Sequence, residues 1–193
     1  MDVRSAVRNI IVALIGIGLI ILVIVLLIKG FSGGNSNTIK PVNVGKYGYT
    51  NAIATLVADG PTNLNQLHRQ VRISVSATEV EIDQIAGYQG DVVKSQTYPN
   101  NAAAYTAFLQ SLQLQGFSKG IKSSVDYRGF CPLGTRYLYT FTNEQEELVN
   151  SWSTSCGGQG TFRGNAPATR NVFRAQVVPV DFSKFLSGTN ISM

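Results

Sequence analysis

The chain has 193 residues and a formal net charge of +5, and only 14% of its residues are charged. Most of the basic excess precedes the main domain, since residues from Lys46 onward include twelve Lys or Arg against ten Asp or Glu. A near-neutral domain lacks the basic surface that dominates nucleic-acid binding, so this composition favours an exported domain with a polar surface instead.

A continuous apolar segment lies near the N-terminus, from Ile10 to Ile28. A helix of this length spans roughly the 30 Å hydrocarbon core of a bilayer. A helix is required there because lipid offers no partners to free backbone polar groups. The segment exceeds the apolar region of a cleaved signal peptide, and no small-x-small cleavage site follows it. The sequence therefore predicts a retained transmembrane signal anchor.

The predicted topology divides the rest of the chain into three parts. Residues 1–9 form a short cytoplasmic tail, residues 29–45 a flexible linker rich in Gly, Ser and Asn, and residues 46–193 an extracytoplasmic α+β domain. Basic residues flank the anchor almost equally on both sides, so flanking charge alone does not set the orientation. Both cysteines lie in the distal domain, as expected for one disulfide in an oxidising compartment.

The first half of the domain shows the two-residue alternation of half-buried strands. Four strands are predicted, at residues 53–59, 68–75, 78–85 and 92–98. A short loop between the second and third strands places Val75 opposite Val80 in the interior. The same register places Arg72 opposite Asp83 on the solvent face.

Three acidic residues alternate along the third predicted strand, at Glu79, Glu81 and Asp83. Such a row resembles a set of metal ligands, but the chain has a single histidine and no calcium-binding loop pattern. We interpret the row as the solvated face of a strand and predict no metal site.

Two helices are predicted to pack on one face of the sheet. The first runs through about Gln115, with Asn100-Asn101 as its N-terminal cap and Gly116 as its stop. The second covers residues 167–177 and begins at a proline, whose missing N–H costs nothing in a first turn. The apolar stripe of the first helix comprises Tyr105, Phe108, Leu109 and Leu112.

The last part of the sheet is predicted to be a hairpin of residues 135–142 and 148–156, preceded by a short strand near residues 123–127. Cys131 and Cys156 lie almost equally far from the turn of this hairpin. Its two arms therefore bring the cysteines together, and a disulfide between them is predicted.

No set of residues in the sequence defines a catalytic or cofactor site. His68 is the single histidine, and no nucleophile-elbow motif accompanies it, although one sequence does not exclude a Ser-His-Asp triad. The glycine-rich loop at residues 157–164 lacks the G-K-[ST] and G-x-G-x-x-G patterns. We therefore predict a non-enzymatic protein without a cofactor.

Aromatic and basic residues in the second half of the domain form a candidate binding face, because aromatic and arginine side chains are frequent at interfaces and glycan platforms. The alternative is that most of these rings belong to the core. The candidate residues are Tyr127, Arg128, Arg136, Tyr137, Tyr139, Trp152, Phe162 and Arg163.

Two stretches of the domain, residues 88–117 and residues 131–182, carry a recognisable pattern. They contain YQGDVVKSQTYPNNAAAYTAFLQSLQLQGF and CPLGTRYLYTF…WSTSCGGQGTF…FRAQVVPVDF. Together they resemble small single-pass envelope proteins of Saccharibacteria and related small-genome bacteria of the candidate phyla radiation. The resemblance implies an anchored extracytoplasmic domain and no catalytic activity.

The predicted fold is α+β, with an antiparallel sheet of five or six strands, two helices on one face and one disulfide. The function favoured by this organisation is a binding or interaction module at the cell surface, with a protein or glycan as partner. A structural subunit of an envelope assembly, such as a secretion or pilus-like machine, and a hydrolase with an unidentified active site are the alternatives. The other expected partner is the lipid bilayer, and nucleic acid is not expected.

Overall fold

The structure is a computed structural model that describes residues 41–120, 126–158, 160–177, 181–191 and 193. The predicted anchor, from Ile10 to Ile28, and most of the predicted linker lie outside the described residues. Within the part of the chain that the structure describes, no helix is long and apolar enough to cross a bilayer.

The fold is built on a six-stranded antiparallel sheet, which confirms the prediction of five or six strands. The strands are β1 (Ile53–Asp59), β2 (Arg69–Val75), β3 (Glu79–Ala86), β4 (Asp91–Pro99), β5 (Arg136–Asn143) and β6 (Glu146–Thr154). Their spatial order is β4-β3-β2-β1-β5-β6. Strand β1 therefore lies inside the sheet, between β2 and β5, although it is the first strand of the chain.

The predicted register of β2 and β3 is confirmed. Val75 pairs with Val80, and Arg72 pairs with Asp83. The connecting loop is held by Ser76, whose hydroxyl oxygen accepts the backbone N–H of Glu79 at 3.0 Å. Alternation of buried and polar side chains sets this register, because a slip of one residue would turn every apolar side chain to the opposite face.

The described residues contain three α-helices, namely α1 (Ala102–Leu114), α2 (Ala166–Arg174) and α3 (Phe182–Phe185). The side chain of Asn101 caps α1 by accepting the N–H of Ala104, and Asn165 caps α2 in the same way. Gly116 has a φ of +74° just beyond α1, a conformation that favours glycine at a helix end.

The two longer helices pack on the same face of the sheet, as predicted. The predicted stripe of α1 is buried. Phe173 of α2 lies 5.2 Å, centroid to centroid, from Phe108 of α1. The guanidinium of Arg170 lies 4.1 Å from the centre of the Tyr137 ring on β5. The helices and this face of the sheet therefore enclose one hydrophobic core.

Two predicted boundaries need correction. The weak strand predicted near residues 123–127 does not extend to its last residue, because Tyr127–Gly129 is a 3-10 turn capped by the Asp126 side chain. Residues 121–125 lie outside the described residues. The second predicted helix is α-helical only as far as Arg174 and continues as a 3-10 turn, Ala175–Val177.

Replacing Tyr105 with Phe is expected to lower the free energy of unfolding by about 1–2 kcal/mol, since the buried carbonyl of Ala52 would lose its donor. The Tyr105 hydroxyl donates to that oxygen at 2.6 Å. Burial also raises the pKa of Tyr105 well above its ordinary value. A tyrosine in the unfolded chain ionises near pH 10, whereas the buried Tyr105 resists ionisation there. The contribution of Tyr105 to the free energy of unfolding is therefore fully present below that pH and is lost as the pH rises above it.

Urea unfolding across this alkaline range measures both effects. The wild-type protein is expected to lose stability more steeply than the Tyr105→Phe variant. Tyr98→Phe is the matched control, because Tyr98 is partly exposed and its hydroxyl donates only to Gln96. Equal alkaline slopes for wild type and Tyr105→Phe would contradict this account.

Candidate functional site

The face of the sheet opposite the helices carries an open groove of about 560 Å³. Leu56 and Ile73 point into the helix-covered core, so their neighbours Thr55 and Ser74 point to the other face. Seven of the thirteen residues that line the groove are Ser or Thr. A polar, hydroxyl-rich surface of this kind distinguishes the groove from the aromatic core beneath the helices.

Four neighbouring strands each contribute one side chain to a line across the groove floor, here called the polar row. Thr55 on β1 pairs with Thr140 on β5 and with Ser74 on β2. Ser74 in turn pairs with Glu81 on β3. Because adjacent strands lie about 4.8 Å apart, the polar row presents hydrogen-bonding groups at a regular short interval.

Arg72 lines the groove beside the polar row, with its side chain 38% exposed. Its Nε and Nη2 donate to the same oxygen of Asp83, Oδ2, at 3.0 and 2.6 Å. A guanidinium has five N–H donors, so Asp83 orients the group while leaving donors directed elsewhere. Among the described residues, neither Glu79 nor Glu81 makes an ion pair.

The acidic row predicted as a solvated strand face is only partly solvated. Glu79 is exposed and Glu81 half-buried, but Asp83 is 1% exposed because Arg72 lies over it. The second carboxylate oxygen of Asp83 is buried without a hydrogen-bond partner in the described part of the chain. No group of three or more His, Cys, Asp and Glu side chains among the described residues could hold a metal ion.

The aromatic and basic residues of the predicted binding face do not form one surface. Arg136, Tyr137, Tyr139, Trp152 and Phe162 are buried. Tyr127 is half-buried, and only Arg128 and Arg163 are exposed. Tyr139 and Phe162 are buried because their rings pack 4.4 Å apart, centroid to centroid, on the helix-covered side, whereas Arg136 is buried in an ion pair with Asp59. The alternative reading, that most of these rings belong to the core, agrees with their burial.

Tyr127 and Trp152 belong to a loop-covered end of the other sheet face. Phe130 lies 5.1 Å from Trp152, ring centroid to ring centroid. Burial raises the pKa of Tyr127, and the nearby carboxylate of Asp59 raises it further. The segment that carries Tyr127 and Phe130 therefore shields this end of the sheet from solvent.

Beneath that loop, two buried ionisable side chains, Arg136 and His68, converge on Asp59, the last residue of β1. Asp59 is 2% exposed, Arg136 is 1% exposed and His68 is 0% exposed. Arg136 Nε and Nη2 both lie 3.0 Å from Asp59 Oδ2. His68 Nε2 lies 2.9 Å and the Gln70 amide 3.0 Å from Asp59 Oδ1. The carboxylate thus joins β1, β2 and β5 at one end of the sheet.

The second nitrogen of His68, Nδ1, lies 3.2 Å from the carbonyl oxygen of Pro61. The ring also stacks on Tyr88 at 4.0 Å between centroids. A nucleophilic triad needs one ring nitrogen to contact a hydroxyl or thiol. Here a carboxylate and a backbone carbonyl hold the two nitrogens, so His68 positions the loop after β1 and would have to give up a contact to act as a base.

The predicted disulfide is confirmed between Cys131 and Cys156, whose Cα atoms are 5.8 Å apart. The groove, by contrast, was not predicted. Its signal was present, because alternation places Thr55 and Thr140 on the polar faces of their strands. What the sequence did not reveal is that these two strands are neighbours, so their hydroxyls could not be assigned to one site.

Comparison with known protein families finds no matching family, and comparison with curated proteins finds no match either. The resemblance of residues 88–117 and 131–182 to envelope proteins of Saccharibacteria therefore stays a prediction.

Proposed function

We propose that this protein is a membrane-anchored extracytoplasmic binding module whose binding surface is the groove on the open face of the sheet. The observation that carries the proposal is the groove itself, in which Arg72 retains free donors and Glu81 lacks a counter-charge within the described residues. Polar groups that are held on a rigid floor and keep some donors or acceptors free are the usual elements of ligand recognition.

The extracytoplasmic location is supported by the disulfide and by the apolar segment from Ile10 to Ile28. Disulfides of a structural kind persist in oxidising compartments and are rare in reducing ones. A segment of that length and composition anchors a protein in the bilayer. The binding module would then be presented outside the cell while remaining attached to the membrane.

A cysteine placed in the groove tests both location and binding in the full chain. The native cysteines are joined to each other, so an introduced thiol is the reactive one. We expect a membrane-impermeant maleimide–diazirine reagent to label a Thr142→Cys variant in intact cells and, on irradiation, to yield a crosslinked adduct. Thr142 lines the groove. Gel mobility and mass spectrometry measure the adduct.

Asn171→Cys is the matched control, since Asn171 is exposed on α2, beyond the opposite face of the sheet. It should be labelled equally but give no adduct. Labelling of both variants only after permeabilisation would contradict the location. If Thr142→Cys is labelled but gives no crosslinked adduct, the groove is not the binding surface. Equal adducts from Thr142→Cys and Asn171→Cys would favour a subunit buried in an envelope assembly.

A further inference from the structure

We infer that the groove binds a neutral, hydroxyl-rich ligand, a saccharide, through the side chains of its strand floor. This inference rests on the proposed function and specifies its ligand. The strands that contribute the polar row, β1, β2, β3 and β5, are each paired on both sides within the sheet. Their backbone donors and acceptors are used in the ladders, so the floor of the groove offers its ligand only side chains.

This restriction distinguishes a saccharide from an extended peptide. Peptides that bind to sheets commonly add a strand at an open edge and gain most of their affinity from main-chain hydrogen bonds. The groove lies over the interior of the sheet, where no such ladder can extend. A ligand that presents its own closely spaced hydroxyls, as a sugar does, suits a surface made of hydroxyls and carboxylates.

The charges around the groove disfavour an anionic ligand. Arg72 contributes one positive group, and Glu79 and Glu81 contribute two negative groups. A phosphate or other anion would be repelled by these carboxylates, because Arg72, the one positive group of the lining, is already paired with Asp83. A neutral molecule can accept from Arg72 and donate to Glu81 at the same time, because a sugar hydroxyl is both donor and acceptor.

The remaining lining residues match the mixed polarity of a sugar ring. A Thr or Ser hydroxyl can donate one hydrogen bond and accept others. Thr50 and Ser76 already donate to backbone carbonyls, so these two offer a ligand acceptors only. Each Thr also presents a methyl group, and Ile53 adds an apolar contact at 40% exposure. The polar row repeats at about 4.8 Å across the strands. A volume of about 560 Å³ lies within the roughly 300–1,000 Å³ typical of small-molecule sites.

The test is saturation-transfer NMR on the full chain in lipid nanodiscs, with maltotriose and chitotriose as neutral probes at millimolar concentration. Saturation transfer from the protein to at least one trisaccharide is expected. A Thr55→Val/Thr140→Val variant should bind about tenfold more weakly, because two hydroxyls of the polar row are removed. Valine keeps the β-branched shape, so the strands should be retained, and circular dichroism checks this.

Thr97→Val is the matched control, because Thr97 is an exposed residue of β4 that pairs with Glu81 but does not line the groove. It should bind as wild type does. The inference is overturned if neither trisaccharide shows transfer, if the double variant binds unchanged, or if sialyllactose, an anionic probe, binds more tightly than both. An adduct at residue 142 without saccharide binding would refute the ligand class alone, whereas the loss of both would refute the proposed function as well.

Discussion

Replacing Asp59 with Asn is expected to lower the free energy of unfolding by roughly 3–5 kcal/mol, because it removes the negative charge that compensates a buried arginine. Arg136 is 1% exposed and directs two donors to Asp59. Its other contacts are neutral oxygens, from Thr62 and the carbonyl of Gly60. The guanidinium cannot reach water without opening this end of the sheet, so its uncompensated charge destabilises the folded state.

Urea unfolding monitored by circular dichroism measures the loss. Asp83→Asn is the matched control, since Asp83 is equally buried but its partner Arg72 has a side chain that is 38% exposed. Once released, Arg72 can turn to solvent, so the control should lose much less stability. Equal losses in the two variants would show that burial of the arginine does not set the cost.

A double-mutant cycle identifies the pair responsible. In an Arg136→Gln background, which is itself expected to be destabilised, the further change of Asp59 to Asn should cost less than it does in wild type. A neutral side chain at residue 136 needs no counter-charge, so the two changes should not add. Additive effects would assign the cost of Asp59→Asn to His68 and Gln70, which bind the other carboxylate oxygen.

This buried network also shows where prediction from sequence ends. The β2–β3 register, the α1 stripe and the last hairpin all follow from signals within short stretches of chain. Asp59 and Arg136 are 77 residues apart and meet only because β1 lies beside β5. Alternation along one strand indicates which residues share a face, but it does not give the order of strands in the sheet.

The limits of alternation along one strand also explain why the sequence indicates a surface position for two charged residues, Asp83 and Arg136, that are buried. A charged side chain at an alternating position normally marks the solvated face, yet Asp83 is covered by Arg72, and Arg136 is enclosed by Asp59 and the loop after β1. The polar row was missed in the same way, because Thr140 on β5 is distant in sequence from its three other members, which lie on β1, β2 and β3. Local patterns thus predict the elements of this fold better than they predict its sites.

Replacing both cysteines with serine is expected to lower the free energy of unfolding by roughly 3–4 kcal/mol in the chain-entropy model. The bridge between Cys131 and Cys156 closes a loop with a sequence separation of 25 and encloses the β5–β6 hairpin. The variant's unfolded chain is free of this constraint and exposes more surface. Its urea m-value should therefore rise while its midpoint falls.

The cross-link also has a native-state consequence that the entropy model omits. It fixes the loop that carries Phe130 against Trp152, and Pro132 of this loop accepts the backbone N–H of Thr62 at 2.7 Å. The Thr62 hydroxyl in turn accepts a hydrogen bond from Arg136 at 2.7 Å. Loosening the loop therefore weakens support for the buried arginine, so the cysteine and Asp59 substitutions should show coupling when they are combined.

A reductant separates the cross-link from the serine side chains themselves. Wild-type protein treated with a phosphine reductant should fall to the midpoint of the Cys131→Ser/Cys156→Ser variant, whereas the variant itself should not respond to the reductant. A variant midpoint equal to that of oxidised wild type would contradict a stabilising role for the disulfide. A reduced wild type clearly more stable than the variant would attribute the remaining loss to burial of a serine hydroxyl at residue 131, which is 5% exposed.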